Sequence, residues 1–158
     1  MFRQVERSDK DILCTMMDEF YHSPAVCHPV PPAYFERTFD QLIQNGPYAE
    51  AYMFIHNKEA AGYALLAKTW SNEAGGLVIW LEEIYIRPEF RGAGLGSAFL
   101  GFLEEKYKHI VARFRLEVEP DNEAAIRLYN RLQYQKLPYQ QMIRPISEQD
   151  SLDGFAEE

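Results

Sequence analysis

Apolar residues recur at helical spacing in four stretches of the chain, and strand-like runs fill the space between them. Ile12, Leu13, Met16, Met17 and Phe20 fall three and four residues apart, which marks one face of a helix, with Ser8 or Asp9 placed to cap it. Ala33–Gln44 reads as a second helix, closed by Asn45-Gly46-Pro47. The loop between them, His22–Pro32, holds four prolines (Pro24, Pro29, Pro31, Pro32). Phe2–Glu6 alternates weakly and predicts a first strand. Ala49–Ile55, Ala60–Trp70 and Leu77–Ile86 predict an antiparallel meander, joined by turns at His56–Glu59 and Ser71–Gly76. A helix from Leu95 to about Tyr107 carries Leu95, Ala98, Phe99, Phe102 and Leu103 on one face. Phe114–Val118 predicts a strand, Pro120-Asp121-Asn122 opens a helix with Ala125, Leu128, Tyr129 and Leu132, and Tyr139–Ile143 predicts a last short strand. The order is roughly βααββββαβαβ, counting one marginal strand. The expected fold is α/β, a mixed sheet flanked by helices.

The 158 residues make one domain, with no internal repeat. Net charge refines the boundary. From Ser147 onward come five acids (Glu148, Asp150, Asp153, Glu157, Glu158) and no Lys or Arg, so residues 1–146 set 16 basic residues against 19 acidic ones. The expectation is a single domain over 1–146 and a flexible acidic tail over 147–158. A nearly balanced domain argues against nonspecific nucleic-acid binding, and no nucleic-acid partner is expected. No apolar run reaches the roughly 20 residues of a membrane span, and no signal stretch follows Met1-Phe2-Arg3-Gln4, so a cytoplasmic protein is expected. Cys14 and Cys27 stand apart, without CxxC, HExxH or zinc spacing, so no metal is expected.

Candidate chemistry concentrates where the third meander strand ends. Arg91-Gly92-Ala93-Gly94-Leu95-Gly96 follows a strand and opens a helix. Small residues let backbone N–H groups approach an anion, the helix dipole adds positive potential there, and Arg91 adds a charge. The glycines are spaced G-x-G-x-G, which is not the dinucleotide fingerprint, and no Gly-Lys-Ser/Thr follows, which excludes the P-loop. In parallel crossovers ligands sit at the carboxyl ends of strands, which directs attention to residues 84–97.

The string Leu81-Glu82-Glu83-Ile84-Tyr85-Ile86-Arg87-Pro88-Glu89-Phe90-Arg91-Gly92-Ala93-Gly94-Leu95-Gly96 closely resembles motif A of the GNAT acetyltransferase superfamily: a strand, then Arg/Gln-x-x-Gly-x-Gly/Ala, matched by Arg91, Gly94 and Gly96. Asn122-Glu123-Ala124-Ala125-Ile126-Arg127-Leu128-Tyr129 looks like motif B of the same family, Asn-x-x-Ala-x-x-Leu-Tyr. The two motifs occur in order within residues 81–134. One position departs: after the motif B tyrosine the family has x-x-x-Gly-Phe/Tyr, and here Gln133 replaces the glycine before Tyr134.

The resemblance implies an N-acetyltransferase with acetyl-CoA as donor. The pyrophosphate would rest on Arg91, Gly92, Ala93, Gly94, Leu95, Gly96 and Ser97, the pantetheine arm would pair with Ile84, Tyr85 and Ile86, and Asn122 would touch the arm while opening its helix. A backbone N–H near Tyr85 would serve the oxyanion. Tyr129 matches the acid that protonates the leaving thiolate, though its spacing with Ala125 and Leu132 is also that of a core aromatic. Three acids are candidates to accept the amine's proton: Glu82, Glu83 and Glu117. Glu117 resembles a base of some N-terminal acetyltransferases, and Leu81-Glu82-Glu83 resembles Leu-Glu-Asp of diamine acetyltransferases. Regular strand alternation puts Glu82 and Glu83 on opposite faces, with Glu82 sharing the parity of Ile84 and Ile86; a bulge reverses that assignment. Tyr21, His22, His28 and Tyr34 are candidates for the acceptor wall. The expected acceptor is a small polyamine-like or amino-acid-like primary amine, attacking directly in a ternary complex. The alternatives are a protein or peptide N-acetyltransferase and a non-catalytic acyl-CoA sensor. A homodimer is a further expectation from the family.

Overall fold

The computed structural model describes residues 1–26 and 28–144. The elements run β1 (Phe2–Gln4), a 3-10 turn (Arg7–Asp9), α1 (Lys10–Tyr21), α2 (Pro32–Ile43), β2 (Ala49–His56), β3 (Glu59–Ser71), β4 (Gly76–Ile86), a 3-10 turn (Pro88–Phe90), α3 (Leu95–Tyr107), β5 (Arg113–Leu116) and α4 (Glu123–Arg131). One five-stranded sheet has the order β1-β2-β3-β4-β5, and only the β4–β5 pair is parallel. The mixed α/β sheet expected from the sequence is therefore the fold. Two details differ. Three strands follow α2, the three runs predicted for the meander, where the order βααββββαβαβ carried a fourth, marginal one, and Tyr139–Ile143 forms no strand. That segment alternates, but among the described residues no neighbouring backbone completes a ladder for it, and Met142 lies 91% exposed. The expected 147–158 tail and Cys27 lie outside the described residues.

Each face of the sheet buries its own core. Tyr52, Phe54, Leu66, Ile79 and Leu81 pack under α3 and α4, around a fully buried Phe99. Its ring lies 4.6 Å from that of Phe54, within the range of favourable aromatic contact. On the other face Met53, Tyr63 and Tyr85 pack under Leu13, Met16 and Phe20 of α1 and Phe35, Phe39 and Leu42 of α2. Proline sets the start of α2: Pro31 is extended and Pro32 opens the helix, where a missing N–H costs nothing. Asn57 and Lys58 both take positive φ, forming the two-residue turn whose twist suits the β2–β3 hairpin.

Two polar anchors hold the layers. Arg3 donates to both oxygens of buried Asp9 at 2.7 and 2.8 Å, tying β1 to the start of α1. Asp9 therefore serves Arg3 and the Glu6 N–H rather than capping α1 with its side chain. Glu50 gathers Lys68 (2.6 Å), the Tyr107 hydroxyl (2.7 Å), Gln4 (2.9 Å) and the Tyr52 hydroxyl. Burial alone would raise its carboxyl, but these donors outweigh burial and hold it well below the usual carboxylate range. The hub joins β1, β2, β3 and the end of α3.

The register of β3 on β4 decides the site. Leu65 pairs with Glu83 and Leu66 with Leu81, so Glu82 is an extra residue, a β-bulge. The bulge switches the phase of β4. Ile79 and Leu81 face α3 below it, and Ile84 and Ile86 pack against the same core above it, while Glu83 and Tyr85 are buried. Among the described residues no helix is long and apolar enough to cross a membrane, and no group of three His, Cys, Asp or Glu is assembled to hold a metal.

Candidate active site

The β4–β5 pair opens at one end. Its last paired residues are Leu81 and Leu116, and β4 continues to Ile86 without that neighbour. The free edge of Ile84, Tyr85 and Ile86 borders the opening. Glu82 and Glu117 are the first residues past the split. Glu117 lies beyond the end of β5 and is exposed, so the strand expected to extend through Val118 is shorter. Once the strands part, no strand among the described residues takes the place of β5 beside Ile84–Ile86.

Above the opening sits the phosphate turn. Gly92 and Gly94 have φ of 77° and 76°, a left-handed conformation that costs glycine little, and a Cβ at either would meet nothing within 4 Å. The turn thus faces open space, and the first-turn N–H groups of α3 at Leu95, Gly96 and Ser97 have no intrahelical partner. Arg91 donates Nε to the Ile86 carbonyl at 2.9 Å, which fixes its side chain beside the turn and the end of β4. Arg131 donates to the Ser97 hydroxyl at 3.2 Å and brings a second guanidinium; no sequence motif marked it. Asn122 caps α4, its Oδ1 accepting from the Ala125 N–H at 3.2 Å. An anion-binding turn, two guanidinium groups and an open strand edge in line with it fit a pyrophosphate joined to an extended amide-bearing arm.

Tyr129 lies in α4, 7% exposed, within the core under α3. Burial raises its hydroxyl above the ordinary tyrosine value, so it stays protonated through neutral pH. Gln133 takes the left-handed backbone expected of the family's glycine, with φ of 65°. Tyr134 N–H bonds the Tyr129 carbonyl at 3.0 Å and Gln133 N–H bonds that of Asn130 at 3.1 Å, a complete Schellman ending. The Tyr129 and Tyr134 rings meet at 5.7 Å across it. The substitution leaves the geometry around Tyr129 intact.

The two adjacent acids do not divide between faces as regular alternation predicts. The bulge is the reason: Glu82 does not share the environment of Ile84 and Ile86 but lines a cleft with Arg37, Thr38 and Gln41 of α2. Glu83 is 9% exposed. Tyr21 donates to one of its oxygens at 2.8 Å and Tyr63 to the other at 2.6 Å. Burial raises the Glu83 carboxyl and the two hydroxyls oppose that. The Glu82 carboxyl is also raised, by burial first, then by the negative charges of Glu117 and Glu83. Glu82 and Glu117 are thus close enough to feel each other at the mouth of the opening, while Glu83 is already engaged.

The acceptor candidates separate. Tyr21 is at the site through Glu83. His22 is exposed, its Nδ1 2.8 Å from the Asp18 carbonyl, and belongs to the end of α1. His28 is half-buried in the α1–α2 loop. Tyr34 carries the Arg37 guanidinium over its ring at 4.4 Å. Tyr63 and Arg37 were not legible beforehand. Tyr63 looks like any strand aromatic until β3 is registered on β4, and Arg37 sits in a helix surface without a motif.

The chain belongs to the Acetyltransferase (GNAT) family, whose model matches residues 14–134. Part of the chain is similar to a thialysine N-epsilon-acetyltransferase of Sus scrofa, at 37% identity over 71 residues, covering 44% of this chain and 39% of that protein's length. A possible acetyltransferase from Clostridium difficile 630 superposes with a TM-score of 0.80 over 93% of this chain and 97% of that one, at 15% identity. The aminoglycoside N-acetyltransferase AAC(6')-Iy, solved with a CoA-linked bisubstrate analogue, superposes with a TM-score of 0.75 over 93% and 98%, at 14% identity. At such identities the two structures speak for the fold.

Proposed function

We propose that this protein transfers the acetyl group of acetyl-CoA to the primary amine of a small molecule, by direct attack in a ternary complex. The observation that carries the reading is the split of β4 from β5 directly beneath the phosphate turn, with Glu82 and Glu117 at its base. A long anionic co-substrate laid along this edge presents its thioester carbonyl near the two acids. Acetyl-CoA supplies the activated acyl group, and the chain's residues handle position and protons. Backbone N–H groups of 92–97 with Arg91 hold the phosphates, and the edge of Ile84–Ile86 aligns the arm. Glu82 attracts the ammonium form of the acceptor and takes its proton, directly or through water, so that the nitrogen lone pair is free to attack. The C–N bond forms, the C–S bond breaks, and the Tyr129 hydroxyl returns a proton to sulfur. Glu83, held by Tyr21 and Tyr63, fixes the bulge that aims Glu82. The pig relative's name, which specifies an amino-acid side-chain amine, and the aminoglycoside activity of AAC(6')-Iy favour small amines.

The test is acceptor-dependent release of CoA thiol, measured for wild type and Tyr129→Phe across polyamines, free amino acids, peptides and aminoglycosides. Tyr129→Phe should lower kcat by about 100-fold or more with acetyl-CoA affinity little changed by calorimetry. Equal kcat would remove Tyr129 from the chemistry. Tight acetyl-CoA binding with no release towards any amine would replace the enzyme by a sensor.

A further inference from the structure

We infer that Arg37 selects an acceptor bearing a carboxylate, so that the substrate class is an amino acid with a side-chain amine rather than a polyamine. The inference rests on the acetyl-transfer reading above. It comes from the cleft of about 380 Å³ between α2 and β3–β4, a volume within the usual range for small-molecule sites. Glu82 stands in its wall from β4, beside the opening. Arg37, Thr38 and Gln41 line it from α2, over a floor that includes Ala49, Leu65 and Ala67. The cleft therefore has unlike charges with an apolar stretch between, and the acid lies on the side of the β4–β5 split.

Arg37 is available for an anion. Among the described residues it makes no ion pair, although the neighbouring Glu36 pairs with Lys10 at 3.9 Å. Its guanidinium rests on the Tyr34 ring at 4.4 Å, which limits the side chain's freedom before a ligand arrives. A planar guanidinium offers a carboxylate two parallel hydrogen bonds, and pre-ordering reduces the entropy lost on forming them. A substrate with its amine at Glu82 and its carboxylate at Arg37 satisfies both ends. Its aliphatic chain would cross Leu65 and Ala67, while Thr38 and Gln41 offer polar groups to an α-ammonium. The matching diamine would bring its second ammonium near Arg37 with no carboxylate to offset it, so that like charges repel. The same residue thus attracts one class and rejects the other.

Matched pairs differing only in the carboxylate test this: lysine against cadaverine, and ornithine against putrescine. Wild type should favour the carboxylate-bearing member of each pair in kcat/KM. Arg37→Gln should erase about 10- to 100-fold of that preference, the scale of losing a charged hydrogen-bonded contact, and should do so through KM rather than kcat. Arg37→Lys, which keeps the charge without the fork, should restore part of it. The inference is overturned if wild type prefers the diamines, or if Arg37→Gln lowers both members of a pair equally. Calorimetric binding of lysine and cadaverine to the protein–CoA complex reads the same contact without turnover. Arg37-dependent preference for lysine in an inactive protein would sink the catalytic reading and leave the carboxylate site standing. Equal binding of the two would overturn the site whether or not the protein turns over.

Discussion

At Gln133 the chain accepts a left-handed backbone without the residue that adopts it cheaply. The complete Schellman pattern shows that the ending of α4 is imposed by its hydrogen bonds and by the Tyr129–Tyr134 contact. A β-carbon in this conformation costs about 1–2 kcal/mol, part of which glycine gives back through its freer unfolded chain. Gln133→Gly should therefore stabilise the fold by about 0.5–1 kcal/mol, read as a higher denaturant midpoint at unchanged slope. Glu82 provides a second expectation. Its carboxyl is raised by burial and then by Glu117, so activity that needs the ionised form rises with pH through a value above that of an ordinary glutamate. Glu117→Gln removes a like charge and should move the acidic limb of kcat/KM to lower pH. An unmoved limb would detach Glu117 from the site. The anion-binding character of the glycine turn was legible in the sequence from local geometry, and Asn122 and Tyr129 became candidates through the motif they resemble. The different surroundings of Glu82 and Glu83 were not legible, because they depend on which β3 residue each one meets.

Among the elements, β4 carries most of the proposed site and is broken by a bulge. Its boundaries could be read from the apolar run and from Pro88, but a bulge leaves no mark in one strand's own pattern: it is a property of the pair. The closing strand expected at Tyr139–Ile143 fails for a related reason, since alternation makes a strand only where a second backbone completes the hydrogen bonds. The β3–β4 contact is also close near the far end of β4. A Cβ at Gly62 would lie 2.1 Å from the Tyr85 carbonyl oxygen, so only glycine lets the strands approach there. Gly62→Ala must push β3 from the strand that borders the opening. It should cost about 1–3 kcal/mol, as overpacking does, and should weaken acetyl-CoA binding as well. Thermal unfolding and calorimetry of the one variant check both, and intact affinity at reduced stability would show that Tyr85 does not position the arm.

For the whole molecule, the sheet flanked by helices followed from the helical faces and the meander, because each amphipathic element must bury its apolar side. What the pattern left open was how the two cores share one sheet. Acetyl-CoA on the phosphate turn would touch α3, β4 and α4 together, elements that belong to the core on one face. Binding should therefore stabilise the fold as a unit. At 100 times its dissociation constant the gain is about 2.7 kcal/mol, or roughly 5–10 °C in Tm for a domain of this size. Gly94→Val should reduce that increment, as seen by differential scanning fluorimetry. The extra residue at Glu82 also makes β4 behave like a text with a deliberate frameshift. Above and below it, the same face is spelled in opposite parity. Deleting Glu82 would restore the regular frame and leave Ile84, Tyr85 and Ile86 on the faces they now hold, removing only the acid that the extra position presents to the cleft. A comparable deletion in the Asn72–Gly75 turn would shorten a loop and leave the spelling of both cores unchanged.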